Sequence, residues 1–252
     1  MRVAFVTAAI WLIVPWAVHA TEQPDVCSVL FMSDTHGPAA SNEALVDALL
    51  AEDGITAVLH GGDVADAADL YGPWWDDPFR DVEARWPFYV AQGNHDATSV
   101  GTKAAFAARF PVLPARLECG AAEIYILPYW PSVADVAWLT EQVTTSTAAW
   151  RVLVVHRPVW PVNRGNAGLR GALWPVLPRI DLVLSGHEHV SSDSTHEVGS
   201  AQVRQIIEVS GSKKYECPVH PVATCEAGET AYWRLDFYED EIRASRQVIS
   251  AP

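Results

Sequence analysis

Basic residues are scarce in this chain of 252, where 17 lysines and arginines stand against 31 acids, a net charge of −14 (17 − 31) with histidines neutral. Tight non-specific binding to nucleic acid needs a basic stripe that displaces counterions from phosphates. No such stripe is present, so no nucleic-acid partner is expected. Past residue 20 no apolar run approaches the roughly 20 residues that span a bilayer. The chain has 4 cysteines and no C-x-x-C spacing, which speaks against a thiolate zinc site. It also lacks internal repeats and low-complexity linkers. Half of its residues are hydrophobic, so a single globular domain over residues 21–252 is expected rather than disorder.

Residues 1–20 read as a secretory signal. Arg2 supplies the positive start, Ala8 to Trp16 form an apolar run broken only by Pro15, and Val18-His19-Ala20 offers a cleavage site. Export to a periplasm or the extracellular space follows, with no stable membrane insertion after cleavage. In an oxidising compartment an even number of cysteines favours disulfides, and four permit three pairings. Cys217 and Cys225 flank a Pro-containing loop and make the natural local pair. Cys27 and Cys119 are left as the long-range pair.

Short β-rich runs alternate with helical patterns in the mature chain, the signature of strand–helix units. Strands are predicted over 28–32, 55–59, 87–91, 123–127, 151–155 and 181–184. Helices are predicted over 41–52, with Ser41 as cap, and around 133–143. Residues 203–209, 230–238 and 241–248 alternate as antiparallel strands do. Five strand ends finish in potential metal ligands: Asp34 with His36, Asp63, Asn94, His156, and His187 with His189. Ligands of open α/β sheets collect outside the carboxyl ends of strands. Carboxylate, amide oxygen and imidazole together suit borderline divalent metals.

On these residues the chain resembles the calcineurin-like metallophosphoesterases, including their purple acid phosphatase branch. The matching blocks are Asp34-Thr35-His36, Gly62-Asp63, Gly93-Asn94-His95-Asp96, His156, and Gly186-His187-Glu188-His189. The resemblance implies a four-layer α/β/β/α sandwich, two mixed sheets flanked by helices. It implies two divalent ions, of manganese, zinc or iron. Asp34, His36 and His189 would hold one and Asn94, His156 and His187 the other, with Asp63 bridging. A metal-bridging hydroxide would then attack the phosphorus of a small phosphate ester. His95 would protonate the leaving oxygen, and Asp96 would orient or charge-stabilise its imidazole.

A phosphomonoesterase is expected. The alternatives are a phosphodiesterase acting on cyclic nucleotides or other small diesters and a non-catalytic scaffold of the same fold. No obligate protein partner is inferred. The purple branch carries a tyrosine three residues after the bridging aspartate and a glycine where His36 stands. Here Asp66 occupies the tyrosine's position, and Tyr71 is too displaced to replace it. Trp74 or Trp75 is a candidate for the cleft wall, although packing explains both more simply. His60 reads as a core histidine, and Arg164, His196, Lys213, Lys214 and His220 as surface or loop residues.

Overall fold

Alternation along the first strand sets the layering. In β1 (Cys27–Met32) every residue is buried, with Val29 and Phe31 in one apolar cluster and Leu30 and Met32 in another. A strand buried on both faces belongs between two layers. The computed structural model describes residues 26–36, 39–66, 75–164, 167–211, 214–217, 223–226 and 229–249. The expected signal, Tyr71, Trp74, Lys213 and His220 lie outside them.

After β1 the chain runs through α1 (Ala39–Leu50), β2 (Ala57–His60), α2 (Asp77–Arg85) and β3 (Phe88–Val90). Ser41, expected as a cap, falls inside α1 because the helix begins two residues earlier. Two short helices follow, α3 (Asn94–Ala97) and α4 (Val100–Arg109). The Ser99 hydroxyl accepts from the Thr102 amide and caps α4. Next come β4 (Ala115–Cys119), β5 (Ala122–Ile126), α5 (Val133–Thr145), β6 (Trp150–Val154), α6 (Ala167–Leu173) and β7 (Leu182–Ser185). Five strands close the chain: β8 (Ser191–Val198), β9 (Ala201–Ile207), β10 (Ala223–Glu226), β11 (Thr230–Phe237) and β12 (Ile242–Ile249).

These strands form two mixed sheets. The first is five-stranded in the order β12-β11-β1-β2-β3, and the second is seven-stranded in the order β10-β8-β9-β7-β6-β5-β4. Val29, Phe31, Leu59, Trp233 and Leu235 of the first sheet share one core with Ile124, Val152, Leu182 and Ile206 of the second. On the outer face of the first sheet, Leu45 and Leu49 of α1, Phe79 and Val82 of α2 and Phe106 of α4 cover Leu30, Met32 and Val58. Leu139 and Val143 of α5 and Leu169 and Leu173 of α6 cover Tyr125, Leu153 and Val183 on the second. The result is the expected α/β/β/α order.

β9 is antiparallel to β8 but parallel to β7, and it lies in the other sheet from β11 and β12. The alternation of residues 203–209 reveals a strand but not its neighbour.

Both disulfides are present: Cys27 is joined to Cys119 and Cys217 to Cys225. Cys27 begins β1 and Cys119 ends β4, so the long-range bridge ties one sheet to the other. Among the described residues no helix is long and apolar enough to cross a membrane.

Candidate metal centre

The polar clusters all follow the C-terminal ends of strands, and strand order decides which of them meet. β1, β2 and β3 are parallel neighbours, as are β5, β6 and β7. Their ends bring donor atoms of Asp34, His36, Asp63 and His189 within 4.8 Å of one another, and likewise those of Asp63, His156 and His187. Asn94 Oδ1 lies 2.8 Å from His187 Nδ1 and 3.2 Å from His156 Nε2. All seven expected ligands therefore converge, and Asp63 is common to both groups.

The donor atoms themselves show whether cations fit. Asp63 Oδ1 accepts the His95 backbone N–H at 2.8 Å, whereas its buried Oδ2 has no hydrogen-bond partner. Three imidazole nitrogens face that oxygen: His156 Nε2 at 3.2 Å, His95 Nε2 at 3.9 Å and His36 Nε2 at 4.0 Å. His36 Nε2 is likewise buried and unpartnered. Buried polar atoms left in this state are costly, and a divalent ion between carboxylate and imidazole satisfies both. A Cβ on Gly93 would strike Asp63, and one on Gly186 would strike Ser33 and Asp34. The backbone thus comes as close to the ligands as glycine permits.

Electrostatics agree with the donor chemistry. Burial opposes ionisation of Asp63, yet the surrounding imidazoles, His156 foremost, hold its carboxyl well below the usual carboxylate range. Burial also opposes charge on His156, but Asp63 overrides it and raises the imidazole to about 9. His187 is pushed down to about 3, by burial first and then by the charge on His156. A divalent ion held by these residues would supply positive charge beside Asp63 and leave the imidazoles neutral as ligands.

Supporting bonds aim the donors. His156 Nδ1 donates to the Gly61 carbonyl at 2.8 Å, which leaves Nε2 for the centre. Asp34 accepts from the Ser33 hydroxyl at 2.7 Å and from the His187 amide at 2.9 Å. His60 is fully buried, and burial lowers it to about 3. As a neutral ring it accepts from the Gly62 amide and donates to the Thr35 hydroxyl, each at 3.0 Å.

The family model of calcineurin-like phosphoesterases matches residues 27–191. The chain belongs to the calcineurin-like phosphoesterase family. No curated protein sequence matches it. Among solved structures, the chain is similar to a purple acid phosphatase from yellow lupin (Lupinus luteus) seeds, with a TM-score of 0.71 and 13% identity over 90% of this chain and 52% of that one. It thus spans about half the length of the lupin protein. The anchor protein of the Plasmodium inner membrane complex follows at a TM-score of 0.68 and 15% identity, covering 88% of this chain and 84% of that one. A 5'-nucleotidase precursor from Thermus thermophilus has a TM-score of 0.55 at 13% identity, covering 89% and 54%. At such identities the likeness is one of fold.

Within this site, the histidine beside Asn94 has a different partner from the one expected. His95 Nδ1 lies 2.7 Å from Asp66 Oδ1, and the same oxygen lies 2.7 Å from His36 Nδ1. Asp96 instead accepts the backbone N–H groups of Gly93 and Asp63, each at 2.8 Å, and of Val64 at 3.1 Å. The reason is local. Asp96 is the third residue of α3, where a carboxylate folds back on the helix N-terminus. Asp96 therefore shapes the turn that carries Asp63, and Asp66 holds the imidazole of His95. The signal for Asp66 was its position three residues after Asp63.

Trp75 is fully buried, stacked on Phe79 at 4.2 Å; it packs the core and does not wall a cleft. His196 stacks on Trp160 at 4.3 Å. Arg164 is less of a bystander than expected: its guanidinium lies 4.7 Å over Tyr215, with Nη1 3.3 Å from the His187 carbonyl. Buried Glu188 accepts the Asn163 and Arg164 amides and pins that loop beside the centre.

Proposed function

We propose that this chain is an exported, binuclear metal-dependent phosphoesterase acting on small phosphomonoesters. The observation that carries the reading is the convergence of seven donor residues around the unpartnered Asp63 Oδ2. Asp34, His36, Asp63 and His189 would hold one divalent ion, and Asp63, Asn94, His156 and His187 the other. Such ions, manganese, zinc or iron, supply positive charge to the phosphoryl oxygens and acidify a water. His95 is the proton donor for the leaving oxygen. Its Nδ1 is fixed by Asp66, and its Nε2 faces the same side as Asp63 Oδ2. A monoester carries one more negative charge than a diester, and the Arg164 guanidinium lies beside the centre, with Nη1 3.3 Å from the His187 carbonyl. That extra positive charge favours the monoester over the diester. Export rests on the two disulfides and the leader-like residues 1–20.

The test pairs metal analysis of purified protein with hydrolysis of a chromogenic monoester and diester. Two equivalents of metal and faster monoester turnover are expected. Faster diester turnover would make the protein a phosphodiesterase, and full metal with neither activity would leave a scaffold.

A further inference from the structure

The parallel order of β5, β6 and β7 has a consequence beyond metal binding. The segment after β5 must emerge beside His156 after β6, which in turn is beside His187 after β7. That segment is Leu127-Pro128-Tyr129-Trp130. The Tyr129 ring lies 5.9 Å from the His156 ring and 6.4 Å from the His187 ring. Trp130 meets Tyr129 edge-on at 5.2 Å. Trp130 is nonetheless 59% exposed, in contrast to Trp75 at 0% and Trp160 at 9%.

Core packing does not hold this indole. Arg157 does: its guanidinium carbon lies 4.3 Å over the Trp130 ring and 5.8 Å over that of Tyr129. Arg157 is itself only 4% exposed, and its buried Nη1 has no hydrogen-bond partner. A guanidinium stacked on an aromatic face restrains both groups. The protein thus keeps a large apolar surface in water at the rim of the metal centre, backed by a buried cation. A surface of this kind suits a planar ring, because every such ring offers a π-face for stacking.

We propose that Tyr129 and Trp130, held by Arg157, form the wall against which the aromatic ring of the ester's alcohol group stacks. The favoured substrates are then phosphomonoesters of aryl alcohols or of nucleosides rather than of simple alkyl alcohols. This inference rests on the phosphoesterase reading. Tyr129 and Trp130 set specificity and take no part in the chemistry.

Metal-loaded wild-type and Trp130→Ala proteins are compared on phenyl phosphate, a purine nucleoside 5'-monophosphate and glycerol phosphate, by hydrolysis and by titration calorimetry. In Trp130→Ala, KM and the dissociation constant should rise about 10-fold for at least one aromatic ester, on the scale of a lost stacking contact. Glycerol phosphate should change less than about 2-fold, and kcat should hold. Trp130→Phe should recover most of the loss. A response to phenyl phosphate alone identifies aryl esters, and one to the nucleotide alone identifies nucleosides; either supports the wall. Equal changes for all three ligands, or none, overturn it. Calorimetry still decides the inference if no ester is hydrolysed, a result that overturns the catalytic reading separately.

Discussion

Replacing Asp66 by alanine probes the proton-transfer part of the site, provided that metal content is followed at the same time. One oxygen of this carboxylate receives Nδ1–H bonds from both His36 and His95, and the two rings stack with centroids 4.4 Å apart. With Asp66 ionised, both Nδ1 atoms must be donors, so both Nε2 atoms turn towards Asp63. The effect on stability should be small. Charge-assisted bonds are worth about 1.5–3 kcal/mol each, but the Asp66 and His95 side chains are 40% and 36% exposed. Water takes over much of what is lost, so a change of about 1 kcal/mol is expected. Activity should suffer more, because removing the carboxylate behind a working histidine costs about 10–100-fold.

Leaving-group chemistry provides the assay. Departure of 4-nitrophenolate needs no proton, whereas an alkoxide must be protonated as it leaves. Asp66→Ala should therefore cost about 10–100-fold on an alkyl phosphate and much less on 4-nitrophenyl phosphate. Asp66→Asn keeps one oxygen acceptor and should recover part of the loss. The metal content of each variant is measured in parallel, since His36 shares the bond. Equal losses on both esters at full metal content would refute a role for Asp66 through His95.

Four further outcomes are expected. His95→Ala should lower kcat for alkyl esters by about two to four orders of magnitude while metal content stays at the wild-type level; loss of metal would make His95 a ligand. Removing the Cys27–Cys119 bridge by paired serines should cost more stability than removing Cys217–Cys225, about 4–5 against about 2–3 kcal/mol from loop closure, because the bridges span 92 and 8 residues; denaturant unfolding that ranks them in reverse order would show strain or residual structure to dominate. Burial holds buried Glu208 above its ordinary 4.5, with Arg246 offsetting only part of that shift, so the folded state disfavours its ionised form and stability falls as pH rises past about 4.5. Glu208→Gln should remove this term, so the Tm difference between variant and wild type should shift in the variant's favour from pH 4 to pH 7; a constant difference argues against it. Iron-loaded protein should lack the purple tyrosinate band, since Asp66 stands where the tyrosine ligand would be; an intense visible band abolished by Tyr71→Phe would contradict this.

The sequence carried the ligand set because each ligand sits just past an apolar run, where hydrophobic periodicity stops and chemistry-bearing residues begin. Its layering came from the family resemblance those ligands carry, and strands such as β1, buried on both faces, agree with it. What escaped was nonlocal or polar. The β8 segment SSDSTHEV has few β-branched or aromatic residues, and it is a strand because β9 and β10 flank it. Adjacency in sequence pointed to Asp96 as the partner of His95, yet helix geometry turns that carboxylate onto the backbone. Asp66 reaches the imidazole only because β2 and β3 are neighbours. Trp130 was one of 11 tryptophans, and nothing in its local pattern separated it from those in the core.

Backbone conformation explains how a few short turns aim so many donors at one point. Asp34, Asp63, His187 and His189 all have positive φ, at 53°, 57°, 71° and 57°. Residues other than glycine rarely enter this region, although Asp and His tolerate it better than most. Each of the four follows a strand, and a left-handed residue there reverses the chain sharply enough to turn its side chain back over the sheet end. Hydrogen bonds brace three of these turns: the Asp34 amide donates to the Gly62 carbonyl at 3.0 Å, the Asp63 amide to Asp96 at 2.8 Å, and the His187 amide to Asp34 at 2.9 Å. These bonds link the ends of β1, β2, β3 and β7, so the turn after one strand is braced by the turn after another. These bonds brace the turns that carry Asp34, Asp63 and His187, and the unpartnered Asp63 Oδ2 and His36 Nε2 are the atoms that metal ions would complete.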